Sequence, residues 1–379
     1  MSNMKPLKTG LLFLIIVFTQ GLSSNAQKPN GQKLLIGSYT NGVVADGIYY
    51  YQFNSNGSTD FISKTAAADP SFLAPSLTKP YLYAVNELGN GNGAVSAYRF
   101  DKVSGSFQLL NTVLSGGDHP CHISIDAQNR FAFVSNYSGG NFSVMRIETD
   151  GKLSNAIQTI QHTGSSVNKS RQDKPHVHSA FISPDEKYVL VQDLGTDLIS
   201  VYSLNLSNTR PVSEKPISIF QCNPGDGPRH ISFHPTKPIV YAVQELTGSV
   251  TVLNFTKGIL KKMQEVNMFA QGVAKKSGAA DIHVSPDGKF LYASNRADFN
   301  DLAIFKIAKN GWLQWVGSEP TLGLAPRNFA IDPTGQFLLA ANQNSNEVVV
   351  FKRNLQTGKL IDTGKRIAVS KPVCLKFID

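Results

Sequence analysis

The sequence predicts an all-β chain, a seven-bladed β-propeller whose ring is closed by pairing of the N- and C-terminal strands in one blade. Three observations carry that expectation. A short hairpin pattern recurs seven times along the chain. Its polar end position returns at Ser38, Asn86, Asn136, Gln192, Gln244, Asn295 and Asn342, at intervals of 47 to 56 residues, a period typical of blade-forming repeats. The first unit lacks an opening strand and the last unit stops after one, so the two chain ends complete a single unit between them.

Gly227–Phe255, GPRHISFHPTKPIVYAVQELTGSVTVLNF, shows the unit most clearly. β-Branched and aromatic residues mark strands at His230–His234, Ile239–Gln244 and Ser249–Phe255, and Pro/Gly punctuation separates them. The second strand has relatives in LLIGSYT, LYAVNEL, FAFVSNY, VLVQDLG, LYASNRA and LLAANQN. First strands begin near Pro70, Pro120, Val177, Pro228, Ala279, Pro326 and Pro372, and the turns SPDEK, HPTKP, SPDGK and DPTGQ follow them. Such turns place Pro, Asp and Gly where a tight bend requires them. A third strand comes next: GAVSAYRF, NFSVMRI, LISVYSL, SVTVLNF, LAIFKI or EVVVFKR. At the termini, Lys33–Tyr39 has no first strand before it and Lys371–Phe377 no second strand after it. Pairing the two closes the ring and hides the sheet edges.

The amino terminus reads differently. Lys5 and Lys8 precede the apolar run Leu11–Phe18, and small and polar residues follow as far as Ala26. This is the layout of a secretory signal, and the run falls short of the roughly 20 apolar residues that span a bilayer. Residues 1–26 are therefore expected to be a signal peptide cleaved near Ala26, leaving residues 27–379 as an exported propeller, periplasmic or secreted. No stable membrane anchor is expected. The formal charge of +9 comes from scattered Lys and Arg without interleaved aromatics, which argues against nucleic acid. Three widely spaced cysteines give neither a disulfide framework nor metal-ligand spacing. A monomer or weak dimer is expected.

In hairpins the start of one strand lies beside the end of the next, so in a ring these ends gather at one funnel mouth. First-strand starts supply His122, His178, Arg229, His230, Asp281, Arg327 and Asn328; second-strand ends supply Tyr39, Glu87, Tyr137, Asp193, Glu245 and Arg296. Some of these serve structure equally well: His122 and His230 can bond a neighbouring blade, Asp193 can cap its turn, and Gln244 and the other polar end positions can tie blades together. The mixture favours chemistry. Arginines converge where a carboxylate, phosphate or oxyanion is bound, and a carboxylate or histidine nearby supplies a proton acceptor. His176 and His178 form an H-x-H pair with no third ligand nearby, so no metal is expected, nor any other cofactor. There is no G-x-S-x-G elbow and no phosphate-cradling glycine loop. The long loops Gln161–Lys174 and Asn267–Ala280 cross the funnel face and are candidate lids.

The strings HPCHISID, PHVHSAFISPDEKYVLVQDLGTD, GPRHISFHPTKPIVYAVQEL, DIHVSPDGKFLYASNR and PRNFAIDPTGQFLLAANQNSN resemble the seven-bladed lactonase family, which includes propeller-type 6-phosphogluconolactonases and carboxy-muconate lactonising enzymes. The resemblance spans the mature chain and implies a metal-independent enzyme that opens or forms a lactone ring. By motif it implies catalytic or anion-binding roles for His178, Arg229, Glu245 and Arg296, with His122, His176, Tyr137, Glu87 and Arg327 expected to bind substrate. The expected partner is a small lactone or sugar acid, and an export signal favours an unphosphorylated sugar lactone. The expected reaction is hydrolysis, with Glu245 activating water. The alternatives are a muconate-type cycloisomerase or lyase, and a non-catalytic propeller that binds a sugar acid or a partner protein.

Overall fold

A computed structural model describes residues 1–2, 31–43, 45–270 and 276–378. The apolar run Leu11–Phe18 and the expected cleavage near Ala26 lie outside the described residues. Within the rest, seven four-stranded antiparallel sheets follow one another. Blade 1 takes Pro372–Ile378 as its innermost strand, followed by Gly31–Ser38, Gly47–Asn54 and Thr59–Ala66. Blade 2 holds Leu73–Pro75, Tyr81–Asn86, Ala94–Phe100 and Phe107–Leu114, and blade 3 holds Pro120–Ile125, Phe131–Asn136, Asn141–Ile147 and Leu153–Gln161. Blade 4 runs Val177–Ile182, Tyr188–Asp193, Leu198–Ser203 and Ser218–Gln221; blade 5 runs Pro228–Phe233, Ile239–Gln244, Ser249–Thr256 and Ile259–Asn267. Blade 6 is Ala279–Val284, Phe290–Asn295, Asp301–Ile307 and Leu313–Pro320, and blade 7 is Pro326–Ile331, Phe337–Asn342, Glu347–Arg353 and Leu360–Ala368.

The expected closure is present. Leu34 pairs with Phe377 and Ile36 with Leu375, so the N-terminal strand joins the C-terminal one in a single sheet. Each blade also has a fourth, outermost strand beyond the three read from the sequence. These outer strands carry exposed and half-buried residues, as in Ile259–Asn267, and lack the dense β-branched signal of the buried second strands, such as Ile239–Gln244.

Hydrophobic side chains pack mainly between blades. Val243 and Val250 of blade 5 share a cluster with Ala293 and Phe305 of blade 6. Tyrosines on three second strands tie blade 2 to 3, blade 5 to 6 and blade 6 to 7: the hydroxyls of Tyr83, Tyr241 and Tyr292 donate to the carbonyls of Gly151, Gly311 and Gly358 at 3.2, 2.9 and 2.6 Å. A buried phenol needs a partner for its O–H, so these contacts also fix blade spacing.

One register differs from the expected alignment. Pro120 pairs with Asn136 and Pro228 with Gln244, but Val177 pairs with Asp193. Asp193, rather than Gln192, takes the polar end position in blade 4. Its carboxylate accepts N–H bonds from His176 and Gly195 at 2.8 and 3.0 Å and lies 2.9 Å from His162 Nδ1. Two polar residues in succession left the register open to a one-residue slip.

Candidate active site

Two backbone devices, repeated around the ring, build the funnel. The residue before the first-strand proline is left-handed at Asp69, His119, Gly227, Ala325 and Lys371, with φ between +41° and +68°. Its carbonyl accepts the N–H of the residue leaving the second strand: Glu87, Tyr137, Glu245, Gln343 and Tyr39 in turn, at 2.8 to 3.1 Å. Such strained conformations persist where surrounding structure over-determines them, often at functional sites. Gly227 suits its place because a Cβ there would meet Leu246 at 2.8 Å. A register shift follows in the first strand, falling at Cys121, His178, Arg229 and Arg327. A bulge leaves one residue unpaired and re-aims its side chain, and three of these side chains, Cys121, His178 and Arg327, line the same space.

That space is a cavity of about 450 Å³ lined by Glu87, Cys121, Tyr137, Arg171, His178 and Glu245, with Ser277, Gly278, Arg296, Ala297 and Arg327 completing the wall. At its centre Glu245 Oε1 accepts a hydrogen bond from Arg171 Nη2 at 2.6 Å. Glu245 Oε2 lies 3.0 Å from Arg229 Nε and 3.2 Å from Arg296 Nη2. Across the cavity Glu87 Oε2 accepts from Tyr39 Oη at 2.8 Å and sits 3.5 Å from Arg327 Nη2, and the Arg327 guanidinium lies over the Tyr39 ring. Four guanidiniums thus share two carboxylates, leaving two positive charges in excess.

Burial alone would raise the Glu245 pKa, but Arg296, Arg229 and Arg171 outweigh it and hold the carboxyl down at about 2. Burial, then Arg296 and Arg327, lower Arg229 to about 10, which leaves it charged. Burial, reinforced by Arg229, His230, Arg327 and Arg296, holds His178 well below the usual imidazole range and so neutral. The thiol of Cys121 is pushed up, chiefly by burial, and donates to the His178 carbonyl at 3.2 Å. The site therefore combines an ionised carboxylate, fixed guanidiniums and a neutral imidazole.

Of the residues expected from sequence, Glu87, Tyr137, His178, Glu245, Arg296 and Arg327 line the cavity. Arg229 lies beneath it, 2% exposed, and reaches it through Glu245. His122 and His176 do not line it. His122 is buried among Phe72, Phe181 and His230. His176 stacks on the Tyr137 ring at 4.5 Å and so supports it from behind. His230 Nδ1 lies 2.8 Å from Asp281 Oδ1 of the next blade, and Gln244 donates to Thr251 Oγ1 at 3.0 Å; both are structural contacts. Leu194, buried, occupies the strand-exit place for which Asp193 was expected.

Arg171 is the charged residue that strand-end reasoning missed; Cys121, Ser277, Gly278 and Ala297 also line the cavity without having been expected there. Arg171 comes from the connection between Gln161 and Val177, beside the buried Gln172, whose amide donates to Asp197 Oδ1 at 2.7 Å and to the Leu194 carbonyl at 2.9 Å. Asp197 also accepts from Ser166, Gly225 and Gly227, so the loop is pinned. A lone arginine within a long loop crossing the funnel face was the available signal. The other long loop, 267–280, includes residues 271–275, which lie outside the described residues. Among the described residues, no group of three or more His, Cys, Asp or Glu is arranged to hold a metal ion, and the three cysteines are buried and free.

Comparison with known proteins adds to this geometry. Residues 33–377 match the family model described as lactonase, 7-bladed beta-propeller. A 6-phosphogluconolactonase of Formosa agariphila is 38% identical over 342 residues, covering 89% of this chain and 97% of that protein. One from Bacillus subtilis is 35% identical over 348 residues, covering 90% and 97%. The solved structure of a periplasmic gluconolactonase from Pseudomonas aeruginosa superposes with a TM-score of 0.87 at 34% identity, covering 92% of this chain and 99% of that one.

Proposed function

The chain belongs to the seven-bladed β-propeller lactonases, and on that premise we propose that its funnel hydrolyses a sugar-type lactone to the open hydroxy acid. The observation that carries this reading is the cluster of Arg171, Arg229 and Arg296 on Glu245, with Arg327 across the same cavity. Attack of water on a lactone carbonyl develops negative charge on the carbonyl oxygen, and pre-placed cations in a partly enclosed site stabilise that charge most. The excess positive charge then holds the product carboxylate. His178, neutral and on the wall, orients the ring oxygen through a ring nitrogen. Glu245 takes a different part from the one expected of it. A carboxyl held at about 2 is too weak a base to activate water efficiently near neutral pH, and its part is to hold three guanidiniums in register.

The likeness to a periplasmic gluconolactonase, together with Lys5, Lys8 and the apolar run that follows them, supports an exported enzyme acting on an unphosphorylated lactone. A hydrolysis panel on the mature chain tests this, comparing unphosphorylated and phosphorylated sugar lactones and muconate-type acids, with and without chelator. Hydrolysis of sugar lactones, insensitive to chelator, is the expected result. Cycloisomerisation of an unsaturated acid without lactone hydrolysis, or saturable sugar-acid binding without turnover, would contradict it.

A further inference from the structure

Glu245 and His178 both face the cavity, yet neither is placed to take a proton from water. Each Glu245 oxygen has a guanidinium nitrogen within 3.2 Å, so protonating it would leave three cations, the buried Arg229 among them, less well compensated. His178 lies among Arg229, Arg296 and Arg327, so an imidazolium there would add a like charge to a cationic wall. The cavity has one further carboxylate, Glu87.

Glu87 differs from Glu245 in how it is held. Its Oε2 accepts the Tyr39 hydroxyl at 2.8 Å and faces a single guanidinium, Arg327, at 3.5 Å. Its Oε1 accepts no hydrogen bond among the described residues. Tyr39 is itself clamped beneath Arg327, 5.4 Å from ring centre to guanidinium carbon. The Glu87 backbone is fixed as well, its N–H donating to the left-handed Asp69 carbonyl at 3.0 Å. Blades 1, 2 and 7 thus contribute Tyr39, Glu87 and Arg327 to one arrangement. It anchors one carboxylate oxygen and leaves the other without a hydrogen bond among the described residues, in the cavity that Arg171 and Arg296 also line and where the lactone carbonyl is proposed to sit.

We propose that Glu87 is the general base of the lactone hydrolysis, an assignment that rests on the lactonase reading above. As the water oxygen bonds to the carbonyl carbon, one water proton passes to Glu87 Oε1. Collapse of the tetrahedral intermediate breaks the ring C–O bond, and the departing alkoxide takes that proton back from Glu87. The new carboxylic acid ionises, releasing one proton to solvent, and its carboxylate faces the surplus guanidiniums. Tyr39 is a positioning residue that keeps Oε2 engaged and Oε1 turned to the water.

Steady-state hydrolysis of glucono-δ-lactone by the mature wild type, Glu87→Gln, Glu87→Ala and Tyr39→Phe tests the assignment, with thermal unfolding followed in parallel. Loss of a general base typically costs about 10²–10⁴-fold, so Glu87→Gln is expected to lose at least about a hundredfold in kcat with KM within about threefold and unfolding unchanged. Added formate is expected to restore turnover in Glu87→Ala, and Tyr39→Phe to lose less than Glu87→Gln. Wild-type-like kcat in Glu87→Gln, or a loss confined to KM, would overturn the assignment while leaving the lactonase reading intact. A wild type that hydrolyses no lactone above the uncatalysed rate would overturn both.

Discussion

Arg229 Nε lies 3.0 Å from Glu245 Oε2, and the two side chains are 2% and 7% exposed. They stand at opposite ends of one hairpin in blade 5, brought together because the residue leaving the second strand bonds to the Gly227 carbonyl while the register shift falls at Arg229. This pair links fold to site: the turn that starts the blade also sets the carboxylate among its guanidiniums.

Breaking a buried ion pair from one side leaves the partner charge uncompensated, at a cost of about 3–5 kcal/mol. Glu245→Ala strands Arg229 together with Arg296 and Arg171. It is expected to lower the unfolding free energy by an amount in that range, read as a lower denaturant midpoint at unchanged slope, and to abolish lactone turnover. An unchanged midpoint would mean that the guanidiniums do not depend on Glu245.

The neutral axial histidines set a second expectation. Burial lowers His122, His178 and His230, the last to about 4. Between about 4 and 6.5 the unfolded chain binds protons at these positions that the folded chain does not, so stability falls as pH falls through that window. Glu245 acts in the same direction at lower pH: its stabilisation is present above its unfolded value and is lost as pH falls through about 2. Urea midpoints measured from pH 7.5 down to 4.5 are expected to decline progressively from about 6.5. A midpoint that stays level to pH 5 would contradict neutral, buried imidazoles.

Arg171 is 41% exposed at its side chain and reaches Glu245 from a loop, unlike the buried Arg229. Its removal is expected to weaken substrate binding more than folding. Arg171→Ala should raise KM about tenfold, equivalent to about 1.4 kcal/mol, with little change in unfolding temperature. A loss of stability without a KM effect would make it a structural residue instead.

The contrast between these arginines shows how far the sequence reaches. Arg229, Glu245 and Arg296 were legible because a seven-fold repeat places strand ends at one mouth, and repeats can be aligned without knowing the fold. Arg171 was not, because its position depends on Gln172 and Asp197 pinning an irregular loop, and no repeat encodes that contact. His122 passed the same positional test as Arg229 yet packs against Phe72 and Phe181. A strand-end position specifies which end of the blade a residue occupies, and the bulge at Cys121 decides which neighbouring side chain turns to the cavity. The outer strands went unread because solvent-facing positions carry little apolar signal.

The direct test of the guanidinium cluster is kcat/KM for glucono-δ-lactone, followed by proton release in a pH-stat, for the wild type and for Arg296→Ala. Removing one oxyanion-stabilising donor typically costs about 10²–10³-fold. Wild-type turnover well above the uncatalysed rate, with a loss of that size in Arg296→Ala, is the expected result. Equal rates in the two proteins, or no turnover above background in the wild type, would contradict it.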